Sequence, residues 1–339
     1  MRVGLTYDLR DDYLAQGMTE EETAEFDSVA TIEAIETALQ SRGYVVDRIG
    51  NLHDLMVRLI AGQTWDFVFN IAEGVHGIGR ESQVPAVLDA CAIPYTFSDP
   101  LTMSVTLDKA VAKRIVRDHD IPTAPFALVR QPSDIAKVEI SFPAFAKPVG
   151  EGTGKGIGTA SRIVDRSELT AVSRHLLTTY AQSVIVESYL PGREFTVGVL
   201  GTGEDATIMG VIEVVPRDLM SVWTYGFENK EHYEDRVDYR LVDDDEARLA
   251  AATALRAWNA LNCRDGGRVD LRSDANGVPN FIEVNPLAGL HPVRSDLVIL
   301  ARRIGMSYED LIGRIVDSCL KRITVFSPPR KACGRKVAA

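Results

Sequence analysis

The segment from Gly266 to Pro286 restricts the fold of this 339-residue chain more than any other. It reads GGRVDLRSDANGVPNFIEVNP, in which two runs with strand-like alternation flank Asn276-Gly277. Asn-Gly between alternating apolar residues is the strongest short-range signal for a β-hairpin. We therefore expect two antiparallel strands here, joined by a loop of these two residues.

The register of this hairpin brings four polar side chains together. With a two-residue loop, Asp270 lies opposite Glu283. Arg268 then lies opposite Asn285, and the period of two puts all four on one face of the sheet. Facing carboxylates repel each other, and a hard divalent cation completed by phosphate and water oxygens removes the repulsion. The hairpin thus predicts a metal site; a solvent-facing hairpin with scattered charges is the alternative.

Length and charge narrow the class of protein. A chain of 339 residues exceeds one usual domain, so two or three lobes are expected. The net charge of −11 argues against nucleic acid or an anionic membrane as the main partner. The beginning, MRVGLTYD, lacks a secretion signal, and no stretch approaches the length of a membrane span. These features predict a cytoplasmic location.

Strand-like and helical patterns alternate along the chain and predict an α/β (α+β) fold, with a parallel sheet in the first hundred residues. A helix is expected from Ser28, a suitable N-cap, to a stop at Gly43. The strand-like runs are Arg2–Tyr7, Asp66–Ile71, Ala144–Pro148, Val184–Ser188, Phe195–Leu200, Ile208–Val214 and Asn280–Asn285.

A glycine-dense segment, FPAFAKPVGEGTGKGIG, follows one of these strands. Lys147 closes the strand, and glycines recur at every second position from Gly150 to Gly158. Such a loop brings backbone N–H groups close to phosphates, while the lysine supplies a positive charge. It is neither a P-loop, since GxxxxGK[ST] is absent, nor a convincing dinucleotide fingerprint. A plain flexible turn is the alternative.

A third segment, VIVESYLPGREFTVGVLG, joins two strand-like runs through Leu190-Pro191-Gly192. A hinge of this kind offers backbone groups to the edge of an adenine ring. Glu194, just beyond it, is placed to accept hydrogen bonds from ribose hydroxyls. A hairpin with a surface glutamate is the alternative.

In their order along the chain these pieces resemble the ATP-grasp superfamily. The order is Lys109, then Lys147 with the glycine loop, then the segment from Glu187 to Glu194, and then the final hairpin. Within the superfamily, the chain most resembles D-alanine–D-alanine ligases, from about Phe67 to Arg303. The resemblance implies an ATP-grasp fold of three subdomains in which two lobes enclose ATP.

The resemblance also implies limits for these subdomains. They are an N-terminal α/β substrate domain (1–100), a central subdomain with the glycine-rich loop (101–189), a C-terminal subdomain with the metal site (190–326) and a disordered tail (327–339).

By the same resemblance, individual residues of the chain take roles. ATP would be bound by Lys109, Lys147, Gly152, Thr153, Gly154, Glu187, Tyr189, Leu190, Glu194 and Lys230. The magnesium ligands would be Asp270, Glu283 and Asn285. The catalytic set would be Arg268 and the backbone of Gly289 at the tetrahedral intermediate, with His76 and Glu81 near the donor amino acid.

The chain departs from the family where substrates are chosen. The glycine-rich first turn with its amine-binding glutamate is missing; an acidic segment offers Asp8, Glu25 or Asp27 instead, with a solvated acidic loop as the alternative. Arg294 and Ser295 stand near the places of the family residues that bind the acceptor carboxylate, and Arg294 could bind it in their stead. A surface charge is the alternative. The lid-like segment Ser221–Tyr233 lacks the usual tyrosine pattern.

We therefore expect an ATP-dependent carboxylate–amine ligase that forms an amide bond through an acyl-phosphate. Its substrates would be a small carboxylate donor and an amine acceptor, both amino acid-like, and its cofactors ATP and Mg²⁺, for which Mn²⁺ can substitute. The family forms dimers, so a homodimer is open to this chain. A kinase for a small carboxylate or hydroxyl substrate would use the same lysines and metal ligands but would not need Arg268. A non-catalytic ATP-binding protein is the other alternative, and the set of metal ligands argues against it.

Overall fold

The computed structural model describes residues 1–217 and 237–326. The predicted lid with Lys230 and the predicted tail (327–339) lie outside these ranges. The strands are β1 (Arg2–Thr6), β2 (Val45–Gly50), β3 (Phe67–Asn70), β4 (Phe126–Val129), β5 (Ala144–Pro148), β6 (Arg162–Ile163), β7 (Val184–Ser188), β8 (Glu194–Leu200), β9 (Thr207–Pro216), β10 (Val237–Leu241), β11 (Gly266–Ser273) and β12 (Pro279–Asn285).

The helices alternate with these strands, and short 3-10 turns complete the connections. The helices are α1 (Arg10–Ala15), α2 (Val29–Ser41), α3 (Leu52–Ile60), α4 (Gln83–Ala90), α5 (Pro100–Leu107), α6 (Lys109–Asp118), α7 (Arg166–Tyr180), α8 (Asp245–Ala260), α9 (Asp296–Arg303) and α10 (Tyr308–Phe326). No helix within the described ranges combines the length and the apolar character needed to cross a bilayer.

The strands form three sheets, each from its own part of the chain. The first is a parallel sheet in the order β2-β1-β3, which confirms the predicted parallel arrangement. The second is antiparallel, in the order β4-β7-β5-β6, and the third is antiparallel, in the order β10-β9-β8-β11-β12. The predicted subdomain limits stay a prediction.

The cores show how the sheets are held together. The largest one packs Val3 and Leu5 of β1 and Ile35 of α2 against Leu311 and Ile315 of α10, so the last helix returns to the first sheet. The third sheet packs on α8, where Trp258 is fully buried. A Cβ on Gly267 of β11 would lie only 2.8 Å from that indole, so this strand needs a glycine for close packing.

Local sequence signals account for most of these elements. All seven strand-like runs form strands, and Ser28 caps α2 by accepting a hydrogen bond from the Thr31 N–H. Gly43, at φ +82°, follows the end of that helix as predicted. The strand-like runs found in the sequence do not include β2, β4, β6 and β10. Strand β6 has only two residues, and β2 lies at the edge of its sheet, where its mixed exposure hides the alternation.

The final hairpin reaches its predicted register through a different turn. The Gly277 N–H donates to the Asp274 carbonyl (3.2 Å) and the Asp274 N–H to the Val278 carbonyl (2.9 Å), so the loop has three residues, 275–277. This loop shifts the pairing by one residue and places Leu271 opposite Phe281. The predicted two-residue loop is therefore wrong.

A bulge corrects the shift before the strands reach the polar residues. The register changes between Asp270 and Leu271, where β12 contributes one extra residue, Ile282. Asp270 consequently lies opposite Glu283, and the other predicted polar pair also keeps its register. The predicted cross-strand pairing is confirmed, because the bulge offsets the longer loop.

One buried carboxylate ties the first sheet region to the last helix. Asp265, fully buried, accepts hydrogen bonds from the Phe97 N–H (2.8 Å) and the Thr202 hydroxyl (3.2 Å). It also accepts from the Ser318 hydroxyl (2.9 Å) and the Arg322 guanidinium (2.8 Å). The four donors come from four separate segments, so this side chain stabilises their arrangement.

We expect Asp265→Ala to lower the thermal unfolding midpoint strongly, because it leaves the largely buried Arg322 guanidinium without its carboxylate partner, a loss of about 3–5 kcal/mol. Asp265→Asn should lose less, since asparagine still accepts hydrogen bonds and tolerates the left-handed backbone (φ +64°) found here. The exposed ion pair of Asp317 with Arg42 gives the control, and Asp317→Ala should change the midpoint little. Equal midpoints for Asp265→Ala and Asp317→Ala would contradict the assignment.

Candidate active site

A cavity of about 100 Å³ lies between the second and third sheets. Strands β5, β7, β8, β11 and β12 contribute to its wall, together with the glycine-rich loop and the start of α6. The predicted ATP-binding residues on its wall are Lys109, Lys147, Gly154, Glu187, Tyr189, Leu190 and Glu194. The fold therefore collects residues from positions 109 to 194 around one space, as the resemblance implies.

A buried ion network forms the floor of this first cavity. Glu187 on β7 lies 3.1 Å from the Lys147 ammonium and 2.6 Å from that of Lys113. Burial alone would lower the pKa of Lys147, but Glu187 raises it above its ordinary value. Burial lowers the pKa of Lys113 despite the same carboxylate. Glu187 thus keeps Lys147 charged at the cavity wall, a contact that the sequence does not reveal.

A second cavity, of about 190 Å³, adjoins the first. Lys109, Glu151 and Glu283 line both cavities, and the Lys109 ammonium lies 3.3 Å from a Glu283 carboxylate oxygen. The second cavity is also lined by predicted site residues, namely Asp27, Glu81, Gly152, Thr153, Arg268, Asn285, Gly289, Arg294 and Ser295. His76 is exposed and lines neither cavity.

The predicted metal ligands face one another across β11 and β12. One Asp270 oxygen accepts from the Thr196 hydroxyl (2.8 Å), and the other from the Asn285 amide (3.3 Å) and Arg268 Nε (3.2 Å). In the described ranges, no three His, Cys, Asp or Glu side chains are grouped closely enough to hold a metal alone. Two carboxylates and an amide are all oxygen donors, which suits Mg²⁺ that takes its remaining ligands from phosphates and water.

Asp296, which sequence reasoning missed, orients the guanidinium of Arg268. Its side chain is nearly buried; one oxygen lies 3.5 Å from Arg268 Nη1, and the other accepts a hydrogen bond from the Tyr239 hydroxyl (2.8 Å). Arg268 therefore lies between the carboxylates of Asp270 and Asp296 and faces the second cavity. In the sequence, Asp296 reads as an ordinary acidic residue in the first turn of a helix.

The acceptor-side prediction falls at the start of α9. The Ser295 hydroxyl accepts a hydrogen bond from the His291 N–H (2.9 Å), which closes the loop before the helix. A Cβ on Gly289 would lie 2.9 Å from that hydroxyl, so glycine allows the loop to pass close to it. Arg294 is exposed but reaches the cavity wall, and its charge opposes the rise in the pKa of Asp27.

The other end of the second cavity carries a group of carboxylates. Burial and the charge of Glu81 raise the pKa of Glu73 well above its ordinary value. Burial raises the pKa of Glu81 to about 7, although the nearby Arg80 lowers it. Burial also raises the pKa of Asp27 to about 7. Glu73 and Arg80 are not found by sequence reasoning, because motif spacing selects His76 and Glu81 from the same segment.

Proteins of known family resemble this chain in sequence. A family model described as "D-ala D-ala ligase C-terminus" matches residues 115–317. The D-alanine–D-alanine ligase of Bordetella petrii is 31% identical over 278 residues, 80% of this chain and 81% of that protein. The uncharacterized protein y4sG of Sinorhizobium fredii is 31% identical over 275 residues, 77% of this chain and 76% of that protein.

Solved structures share the fold at lower identity. D-alanine–D-alanine ligase from Bacillus anthracis complexed with ATP is 20% identical, with a TM-score of 0.73 over 96% of this chain and all of that chain. The VanG D-Ala:D-Ser ligase from Enterococcus faecalis is 17% identical, with a TM-score of 0.72 over 94% of this chain and 99% of that one. The architecture is thus the ATP-grasp fold. By its family model and its relatives, the chain belongs to the D-alanine–D-alanine ligase family.

The raised pKa of Asp27 predicts a pH dependence of stability. Because its folded-state pKa, about 7, lies above the ordinary 3.8, the folded protein binds more protons in that range. Stability is therefore lost as the pH rises from 4 to 7. Asp27→Asn removes this loss, so the variant should gain about 1–3 kcal/mol on the wild type between pH 5 and pH 8. If the unfolding midpoints of the wild type and of Asp27→Asn change with pH in parallel, the assignment is contradicted.

Proposed function

We propose that this protein is an ADP-forming ligase that uses ATP to join the carboxylate of one amino acid-like substrate to the amine of another. The observation that carries the proposal is the junction of the two cavities at Lys109 and Glu283. A phosphate held in the first cavity would meet a carboxylate held in the second at this junction. Arg268 lies on the substrate side of it.

The first cavity would hold ATP with its phosphates toward Lys109 and Lys147. Both ammonium groups are nearly buried, so their charges act with little screening by water. Asp270, Glu283 and Asn285 would hold Mg²⁺, or Mn²⁺ in its place. A bound Mg²⁺ supplies positive charge at the transferring phosphate and orients it.

The reaction would then run in two steps. A donor carboxylate oxygen attacks the γ-phosphorus, the bond to the β-phosphate oxygen breaks, and ADP and an acyl-phosphate form. The acceptor amine attacks the acyl carbon, and Arg268 with the Gly289 N–H stabilises the negative oxygen of the tetrahedral intermediate. Loss of inorganic phosphate and a proton leaves the amide. Asp296 and Tyr239 would keep Arg268 oriented for this step.

The substrates are proposed from the walls of the second cavity. The relatives named D-alanine–D-alanine ligases favour amino acids at both positions. Asp27 and Glu81 would meet the donor's ammonium group, and Arg294 with Ser295 the acceptor's carboxylate. His76 lies outside the cavity, so it would contact the donor after a movement of the loop from Val75 to Gly79 toward the cavity. A cytoplasmic location and a homodimer belong to the same proposal.

The proposal is tested by incubating the protein with Mg-ATP and a panel of single L- and D-amino acids and their pairs. We expect one ADP and one phosphate per turnover, and a product with the mass of a new amide, detected by mass spectrometry. Formation of a phosphorylated compound with no amide would favour a kinase. If no substrate or pair in the panel causes ADP release, both activities are contradicted.

Arg268→Met should separate the two steps. The variant loses the guanidinium at the tetrahedral intermediate, so amide formation should fall roughly 100- to 1,000-fold. Acyl-phosphate formation should continue and be trapped by hydroxylamine as a hydroxamate. Asp270→Asn, which lacks a metal ligand, should stop both steps. The control is Arg248→Met, because Arg248 is exposed and, among the described residues, forms ion pairs with Asp243 and Asp245 alone. Equal losses of hydroxamate and amide in Arg268→Met would sink this role.

A further inference from the structure

Lys155 lies in the glycine-rich loop but does not belong to the residues assigned above. Its side chain is only 8% exposed, and it lines the first cavity. Its ammonium lies 3.5 Å from a Glu25 oxygen and 3.7 Å from a Glu151 oxygen, and it donates to the Glu22 carbonyl (3.4 Å). Each of these distances is long for a charged hydrogen bond, so Lys155 is held loosely by several oxygens.

Glu25, by contrast, lines the second cavity. Its oxygen nearest Lys155 also accepts a hydrogen bond from Arg80 (3.0 Å). Burial alone would raise the pKa of Glu25, but Arg80 and Lys155 lower it below the ordinary value, so the carboxylate is ionised. The loop comes close to Glu25 because Gly152 has no side chain: a Cβ there would lie 2.2 Å from the other Glu25 oxygen.

We propose that Lys155 is an additional phosphate-binding cation that Glu25 holds in the empty protein and releases when a nucleoside polyphosphate binds. The inference rests on the proposed nucleotide site. The glycine-rich loop then carries a mobile charge between the two cavities. Lys109 and Lys147 lie on regular elements, α6 and β5, whereas Lys155 lies in a loop between Gly154 and Gly156, two residues with positive φ angles and few conformational restrictions of their own.

The charges favour this transfer. A triphosphate brings three to four negative charges into the first cavity, and it competes with the carboxylates of Glu25 at 3.5 Å and Glu151 at 3.7 Å. Once Lys155 has turned to the phosphates, Glu25 retains Arg80 as its main partner. Its free lone pairs can then accept an ammonium group in the second cavity. Nucleotide binding would thus prepare the donor end, and by linkage an amine bound there would favour nucleotide binding.

The experiment measures binding of AMP-PNP and of AMP, each with Mg²⁺, by calorimetry. Lys155→Met should weaken AMP-PNP about tenfold, whereas AMP, which lacks the β- and γ-phosphates, should bind as to the wild type. Lys155→Arg keeps the charge and should restore most of the affinity. Unchanged AMP-PNP affinity in Lys155→Met would overturn the inference. If the wild type binds no AMP-PNP, the proposed function falls together with it.

Glu25→Gln distinguishes a released lysine from a merely structural pair. If Glu25 competes with phosphate for Lys155, this variant should bind AMP-PNP several-fold more tightly than the wild type. The gain should vanish when Lys155→Met is also present, because no cation is left to release. A Glu25→Gln variant that binds more weakly, or that has the same effect in both backgrounds, would overturn the inference. Thermal unfolding midpoints confirm that each variant is folded.

Discussion

The site depends on the register between β11 and β12, and this register is fixed from outside the hairpin. A slip of one residue would turn Asp270 away from the cavities. The Phe281 N–H donates to the Pro122 carbonyl (2.8 Å), and the Phe281 carbonyl accepts from the Lys113 ammonium and the Thr123 hydroxyl (both 2.9 Å). These bonds hold β12 next to its bulge. The segment between α6 and β4 therefore helps to set the geometry of a site more than 140 residues further along the chain.

The same connection leads to the charged groups of the first cavity. Lys113, which binds Phe281, also pairs with Glu187, and Glu187 keeps Lys147 charged beside the first cavity. In the empty protein, lysines and glutamates at the cavity thus neutralise each other's charges, a task that the proposed ligands would take over on binding. Lys109 faces Glu283 where a phosphate and a metal ion would lie. Binding would exchange one set of charge pairs for another, and this exchange keeps the cost of desolvating highly charged ligands low.

The sequence predicts the parts of the site that depend on local signals. The strands carrying Lys147, Glu194 and Asp270 follow from alternation and turn residues, and the hairpin pairing survives an error in the loop because a bulge offsets it. Contacts between distant segments leave no such signal. Asp296 acts on Arg268 from a helix 28 positions later, and the partner of a charge cannot be read from spacing. The ATP-grasp fold and the family were accessible because the order of motifs is preserved, whereas the donor end was not.

The carboxylates of this protein divide into two kinds by how well they are partnered. Asp265 is fully buried and has four donors, so its charge stabilises the fold. Glu73, Glu81 and Asp27 have raised pKa values because burial removes water without supplying an equal number of cations. Such groups lower the stability of the empty protein as the pH rises from the ordinary carboxyl pKa to the raised one, which for Asp27 means from about 4 to about 7. A cationic ligand would relieve this cost, which is why we propose that an ammonium-bearing substrate binds at this end of the second cavity.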